Sequence, residues 1–451
     1  MIDFSHIDKF SRKYDIYNRY LKFCHNHIYY KQYRIVGKEN IPPKGVPTLV
    51  IANHQNGLTD ALVLLYMFDD NRQPVFIARG DIFKNSIVAR ILYFLKILPT
   101  FRNRDGNRSD VRANNETFHI AAEVLNRKNT LVMFPEAAHQ HGHYLGTFKK
   151  GFPRIAFTAE EYADYSLNLQ ILPVNIHYSD YYNFRSRVVI TVDRPFGIRD
   201  FFDTYKKEPN QAYLDLNDYA REKVKAITID EDPAFYVEYD QIRNMLHTQR
   251  LKEKGLNTHD LYLEKLEDME IVAEIDRLKE EDRSRFKELM SEVDTYTAGL
   301  RKLGLRDWLI NKPVSLLSLT VKTFLYLLGL PLFLFGWIHN ILPFSFPRLL
   351  KRKIKDRQLH SSMNFAPGVV LTFPLMYLIW FILAWIISGK FWFALLYGLA
   401  AFASLFFFYA YRKGALKLSG AWRYFVLKKK KNPLLLSISA IKNKMMTNGI
   451  R

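Results

Sequence analysis

Residues 46–65 read VPTLVIANHQNGLTDALVLL, and the fold turns on how they are divided. TLVIA is a short, continuous apolar run rich in β-branched side chains, the pattern of a strand buried on both faces. It stops at Asn53-His54, Gly57 follows, and a second apolar run with helical spacing begins near Asp60. Were 54–60 one straight helix, His54 and Asp60 would point about 240° apart. A turn at Gly57 between strand end and helix start lets the imidazole fold back onto the carboxylate. Asp60 would then hold the Nδ1 proton and leave Nε2 as a base. The simpler use of such a pair is to cap the turn.

Outward from this stretch, residues 29–200 alternate short β-rich runs with helical segments. Strands are expected at 48–52, 74–78, 130–134, 169–176 and 187–192. The pattern predicts an α/β fold, a mixed sheet flanked by helices. Pro173 lies inside the fourth of these runs and predicts an edge or a bulge there. Residues 87–98, IVARILYFLKIL, read as a helix that lines an acyl groove or packs under the sheet.

Two further regions follow. Residues 211–310 are dense in Glu, Lys and Arg with apolar residues three and four apart, as in YLEKLEDMEIVAEIDRLKEE, and predict a charged amphipathic helical insert. Residues 311–451 read as a membrane region, leaving 1–210 as the α/β domain. GVVLTFPLMYLIWFILAWIIS (368–388) and FWFALLYGLAAFASLFFFYAY (391–411) are each long enough to cross roughly 30 Å of hydrocarbon, and only Gly389-Lys390 separates them. The run 321–344 is interrupted by Gly329-Leu330-Pro331. RLLKRKIKDR (348–357) and LKKKK (427–431) are basic and expected on the cytoplasmic side. A broken, re-entrant or interfacial 321–344 keeps both on the same side as the α/β domain.

Across 451 residues the formal net charge is +20, which favours an anionic partner. Many of the aromatics lie in the C-terminal apolar runs, which points to lipid rather than nucleic acid. The single cysteine, Cys24, excludes an intramolecular disulfide and an all-cysteine metal site. The start, MIDFSHIDKFSRKYD, lacks the apolar core of a signal peptide, so the first domain is expected in the cytoplasm.

Three further blocks give the His/Asp pair a context. ILPTFRNRDGNR (97–108) breaks into Arg102 and Arg104, whose alternation lets both guanidinium groups face one phosphate. In TLVMFPEAAHQHGHYLGTFKKGF (130–152) a strand ends on Phe134-Pro135-Glu136, with Lys149 and Lys150 before the next helix. LQILPVNIHY (169–178) is the last. HQHGH (139–143) invites a zinc reading, but without a clear further ligand these are read as loop histidines.

Asn53-His54 with Asp60, the arginine block, Phe134-Pro135-Glu136 and Leu172-Pro173-Val174 resemble the four ordered blocks of the glycerophospholipid acyltransferase superfamily. The approach YRIVGKENIPPKGVPTLVIANH (33–54) is similar too. Two departures stand out. Five residues separate His54 from Asp60 where most members have four, and Ala137-Ala138-His139 replaces the usual Gly-Thr-Arg. The longer spacing, the helical insert and the membrane hairpin look most like the fungal-type glycerol-3-phosphate acyltransferases and related bacterial proteins.

The resemblance implies acyl transfer from a thioester, carried on coenzyme A or acyl carrier protein, to a hydroxyl of glycerol 3-phosphate. His54 and Asp60 would be catalytic. Arg102, Arg104, Glu136, His139, Lys149 and Lys150 would contact the glycerol-phosphate acceptor, with Glu136 on its other hydroxyl. No bound cofactor or metal is required, and the expected setting is a bacterial inner membrane with the site facing the cytoplasm. With the usual arginine absent, 1-acylglycerol 3-phosphate or another lysolipid, including a lyso-aminolipid, is the alternative acceptor. A non-catalytic scaffold binding anionic lipid is the alternative from another class.

Overall fold

A computed structural model describes residues 3–68, 70–100, 108–140, 142–352 and 354–450. The chain divides into two compact units, Met1–Asp230 with Asp356–Ser362, and Glu231–Lys355 with Met363–Arg451.

The first unit is built on seven strands: β1 (Gln32–Val36), β2 (Thr48–Ala52), β3 (Val75–Arg79), β4 (Ile97–Thr100), β5 (Thr130–Met133), β6 (Gln170–Tyr178) and β7 (Arg187–Val192). Their order is β1-β7-β6-β2-β5-β3-β4, parallel throughout except for the β6–β7 pair. The sheet is therefore mixed, as expected. All five residues of β2 are buried, which explains its unbroken apolar run. The core gathers Leu49 and Ile51 of β2, Leu131 of β5 and Ile171 of β6 under Phe152, Ile155 and Ala156 of the helix Gly151–Tyr162.

Two strands escape the sequence pattern. β1 is a half-buried edge strand with Tyr33 and Arg34 inside it. β4 was expected as the tail of a helix, but the helix Ser86–Phe94 ends early. Lys96 then takes a left-handed φ of 60° and turns the chain into the sheet. That helix fully buries only Ala89, packs Tyr93 against the sheet core and leaves Ile87, Val88 and Ile91 exposed.

Pro173 is not at an edge. It sits in β6, between β7 and β2. Its carbonyl accepts from Asp193 N at 3.0 Å, so its missing N–H also faces the β7 side. There the register slips by one residue between the pair Val174–Val192 and the bridge Ile171–Phe196. The extra residue is a bulge, and the proline falls where no ladder donor is needed.

The helix Pro209–Lys225 places Ala212, Leu216, Ala220 and Val224 at four-residue intervals in this same core. The sheet unit consequently reaches Asp230 rather than stopping near residue 210. It also includes residues 356–362, which the sequence had placed in the membrane region.

In the second unit the helices Tyr236–Glu253, Leu261–Glu281 and Arg283–Leu303 bury Ile242, Ile271, Ile275, Leu289 and Val293. Arg243 is buried against Glu231, Asp268 and Asp240, a charge fully surrounded by carboxylates. Leu330–Lys351, His360–Ser388 and Phe391–Lys429 are long and apolar enough to cross a membrane. The break expected in 321–344 falls at Gly329, between the helices Leu316–Leu328 and Leu330–Lys351. The hairpin turn is at Gly389, with φ of 65°, but its second helix continues to Lys429 rather than ending near 411. At 1.5 Å per residue those 39 residues span about 58 Å, well beyond one hydrocarbon thickness.

Candidate active site

Parallel pairing brings the two motif ends together. β2 and β5 are hydrogen-bonded neighbours running the same way, with Ile51 opposite Met133. Asn53-His54 and Phe134-Pro135-Glu136 therefore leave the sheet at the same carboxyl edge, where open α/β sheets place their ligand sites. Asn53 extends the β2–β6 ladder with its side chain. Its Nδ2 donates to Ile176 O at 3.0 Å, and its Oδ1 accepts from Ile176 N at 2.7 Å. His54 is thereby the first residue free of the sheet.

His54 Nδ1 lies 2.8 Å from Asp60 Oδ2. The same oxygen accepts from Gln55 N at 2.8 Å and Asn56 N at 2.7 Å, and Oδ1 accepts from Tyr178 OH at 2.6 Å. Asp60 is fully buried. Burial and the adjacent Asp60 push the Tyr178 phenol up, so it remains a donor. An acceptor-only carboxylate at Nδ1 requires that nitrogen to carry the proton, leaving Nε2 with its lone pair. The imidazole stacks on Phe134 with ring centres 4.1 Å apart, and His139 meets it edge-on at 4.2 Å. Its side chain keeps 15% of its exposure, so one edge remains reachable.

Glu136 is held by backbone donors. Oε1 accepts from His54 N and Oε2 from Gly146 N, both at 3.0 Å, and the residue is 3% exposed. A carboxylate clamps the loop because two backbone N–H groups at a strand edge need acceptors. Burial pushes Glu136 up to about 7, against the opposing pull of those N–H groups. With the folded value above the ordinary 4.5, its stability contribution is complete below that pH and is lost as pH climbs through about 7. The whole change is on the order of 3 kcal/mol. The stability difference between wild type and Glu136→Gln is thus expected to shift against the wild type between pH 4.5 and 7. Denaturant melts of both proteins across that range check it, and a pH-independent difference would refute it.

His139 is held down to about 4 by burial and by His54, so it is neutral beside the pair; its Nδ1 is 3.6 Å from Asp356. His143 turns elsewhere, with Nδ1 at 2.7 Å from Tyr181 OH. His141 lies outside the described residues, among which no group of three or more His, Cys, Asp and Glu could hold a metal. Arg102 and Arg104 also lie outside the described residues. Lys149 and Lys150 are exposed at the start of the helix Gly151–Tyr162. Lys149 N donates to Pro135 O at 2.8 Å, which places its backbone beside the Phe-Pro-Glu turn.

Tyr178, Phe134 as a stacking platform and the backbone donors of Gln55 and Asn56 were not singled out from sequence. Only the end of β6, adjacent to β2, carried a signal for Tyr178. The assembled group is a partly exposed imidazole, backed by a buried carboxylate with four hydrogen bonds. Such an arrangement can accept a proton from an alcohol and return it to a leaving group.

Residues 32–177 match the family model described as Acyltransferase. Over 117 residues the chain is 28% identical to the chloroplastic 1-acyl-sn-glycerol-3-phosphate acyltransferase LPAT1 of Arabidopsis thaliana, covering 26% of this chain. The match spans 30% of that relative's length. The crystal structure of the 1-acyl-sn-glycerophosphate acyltransferase PlsC from Thermotoga maritima aligns with a TM-score of 0.34 at 21% identity. That alignment covers 47% of this chain and 80% of the other.

Proposed function

We propose that this protein transfers a fatty acyl group from a thioester to a hydroxyl of a glycerol-phosphate acceptor in phospholipid synthesis. The observation that carries the proposal is the 2.8 Å pairing of His54 Nδ1 with the buried Asp60 at the carboxyl edge of the sheet. His54 Nε2 takes the hydroxyl proton as the oxygen attacks the thioester carbonyl. The resulting imidazolium, stabilised by Asp60, gives that proton to the departing thiolate as the C–S bond breaks. Phosphate contacts fall to Arg102, Arg104, Lys149 and Lys150, with His139 beside the reacting oxygen. The acyl chain has an apolar surface in Ile87, Val88 and Ile91. The membrane-length helices keep the enzyme with its lipid product, on the cytoplasmic side of a bacterial inner membrane.

For the acceptor, 1-acylglycerol 3-phosphate is favoured, because that is what the curated relative's name specifies. Glycerol 3-phosphate is the second reading, resting on the five-residue spacing from His54 to Asp60. Full-length protein in detergent or nanodiscs, assayed with acyl-CoA and acyl carrier protein donors against both acceptors, tests the proposal. Acylation of 1-acylglycerol 3-phosphate above glycerol 3-phosphate is the expected result. Acylation of neither acceptor by either donor would overturn it.

A further inference from the structure

The helix Gly57–Leu65, which carries Asp60 in its first turn, does not cap itself. The first four N–H groups of a helix have no partner within it, and an N-cap side chain ordinarily accepts from the second or third. Asn56 holds the N-cap position, but its side chain is engaged elsewhere. Nδ2 donates to Tyr181 O at 3.0 Å, and Oδ1 accepts from Ser361 Oγ. The bond that Asn56 would normally accept, from Leu58 N, goes to Ser362 Oγ at 3.1 Å, 304 residues away.

Ser361 strengthens the same turn. Its Oγ lies 3.1 Å from Thr59 Oγ1, and its carbonyl accepts from Tyr29 OH at 3.2 Å. Ser361 and Ser362 are 1% and 2% exposed, so these are dry contacts. Upstream, Asp356 stands beside His139, and the Arg357 guanidinium lies 4.9 Å over the Tyr182 ring. In sequence the segment follows the apolar helix Leu330–Lys351, and its last three residues open the apolar stretch His360–Ser388, yet it groups with the sheet unit.

We propose that residues 356–362 are a positioning element of the His54–Asp60 site, supplying from a distant part of the chain the N-cap that the Asp60 helix lacks. The role rests on reading His54 as the base. Asp60 sits two residues past the capped amide of Leu58, so loosening the first turn moves its carboxylate relative to Nδ1. Misplacement of about 1 Å in such a site can lower turnover a hundredfold.

The test uses the full chain with Ser362→Thr and Ser362→Val, which add the same methyl group and differ in the hydroxyl. Valine is expected to lower kcat about tenfold or more with KM for the acceptor within about twofold, and threonine to retain most of the turnover. Amide exchange in residues 53–65 is expected to be about fivefold to thirtyfold faster in the valine variant than in the threonine variant. Equal exchange and equal kcat in the two would overturn the proposal. If wild type transfers no acyl group at all, the catalytic reading fails, and the exchange comparison still decides the cap.

Discussion

Replacing His54 with alanine is expected to lower acyl transfer by about 10^3 while leaving the fold in place. Two of the contacts that fix residue 54 in the structure are made by its backbone. Its N–H donates to Glu136, and its carbonyl accepts from Gln140 N at 2.9 Å. Alanine keeps both. What disappears is the imidazole stacked on Phe134 and the nitrogen that would take the hydroxyl proton. Turnover at saturating substrate, measured beside a thermal melt, separates the two effects. Undiminished turnover in a folded His54→Ala protein would take the base role away from His54, whereas no turnover in the wild type is what the scaffold reading, binding of anionic lipid without chemistry, predicts.

Asp60 answers differently to its two natural substitutions. In Asp60→Asn, the amide oxygen placed at the Oδ2 position can still accept from His54 Nδ1, Gln55 N and Asn56 N, and the NH2 group meets the Tyr178 hydroxyl. The geometry is kept and the charge is lost, so the imidazolium that forms during attack is no longer stabilised. A fall in kcat of roughly 10^2–10^4 with little change in stability is the expected outcome. Asp60→Ala goes further, because it strands the N–H groups of Gln55 and Asn56, both buried, without an acceptor. Each stranded donor costs about 1–3 kcal/mol, so this variant is expected to be less stable as well as inactive. Activity in Asp60→Asn within a few-fold of wild type would assign the carboxylate to turn capping alone.

Much of the sheet unit was legible because its signals are local. TLVIA and TLVM are apolar runs that only a strand buried on both faces needs, and His54 and Glu136 follow them directly. Their convergence on one sheet edge needs only parallel pairing of the two strands. The misses have physical reasons. β1 is a partly polar edge strand, and β4 hides behind Lys96, whose left-handed turn no apolar period reports. The backbone partners of Glu136 were not legible because a carboxylate at a strand end is ambiguous. Which donors it meets depends on Gly146, ten residues away on a loop without periodicity. The end of the unit was set too early because Ala212, Leu216, Ala220 and Val224 lie among charged neighbours, so the sheet-facing stripe of that helix read as part of the insert.

Because the partners of Asn56, Leu58 and Thr59 lie some 300 positions downstream, the order of synthesis matters. A ribosome adding about 5–20 residues per second delivers Ser361 and Ser362 roughly 15–60 s after the His-Asp motif has emerged. Throughout that interval the nascent helix has an open first turn. The first turn of the Asp60 helix is closed only once the apolar stretch Leu330–Lys351 has been translated, so the proposed site is completed after that part suited to a bilayer has been made.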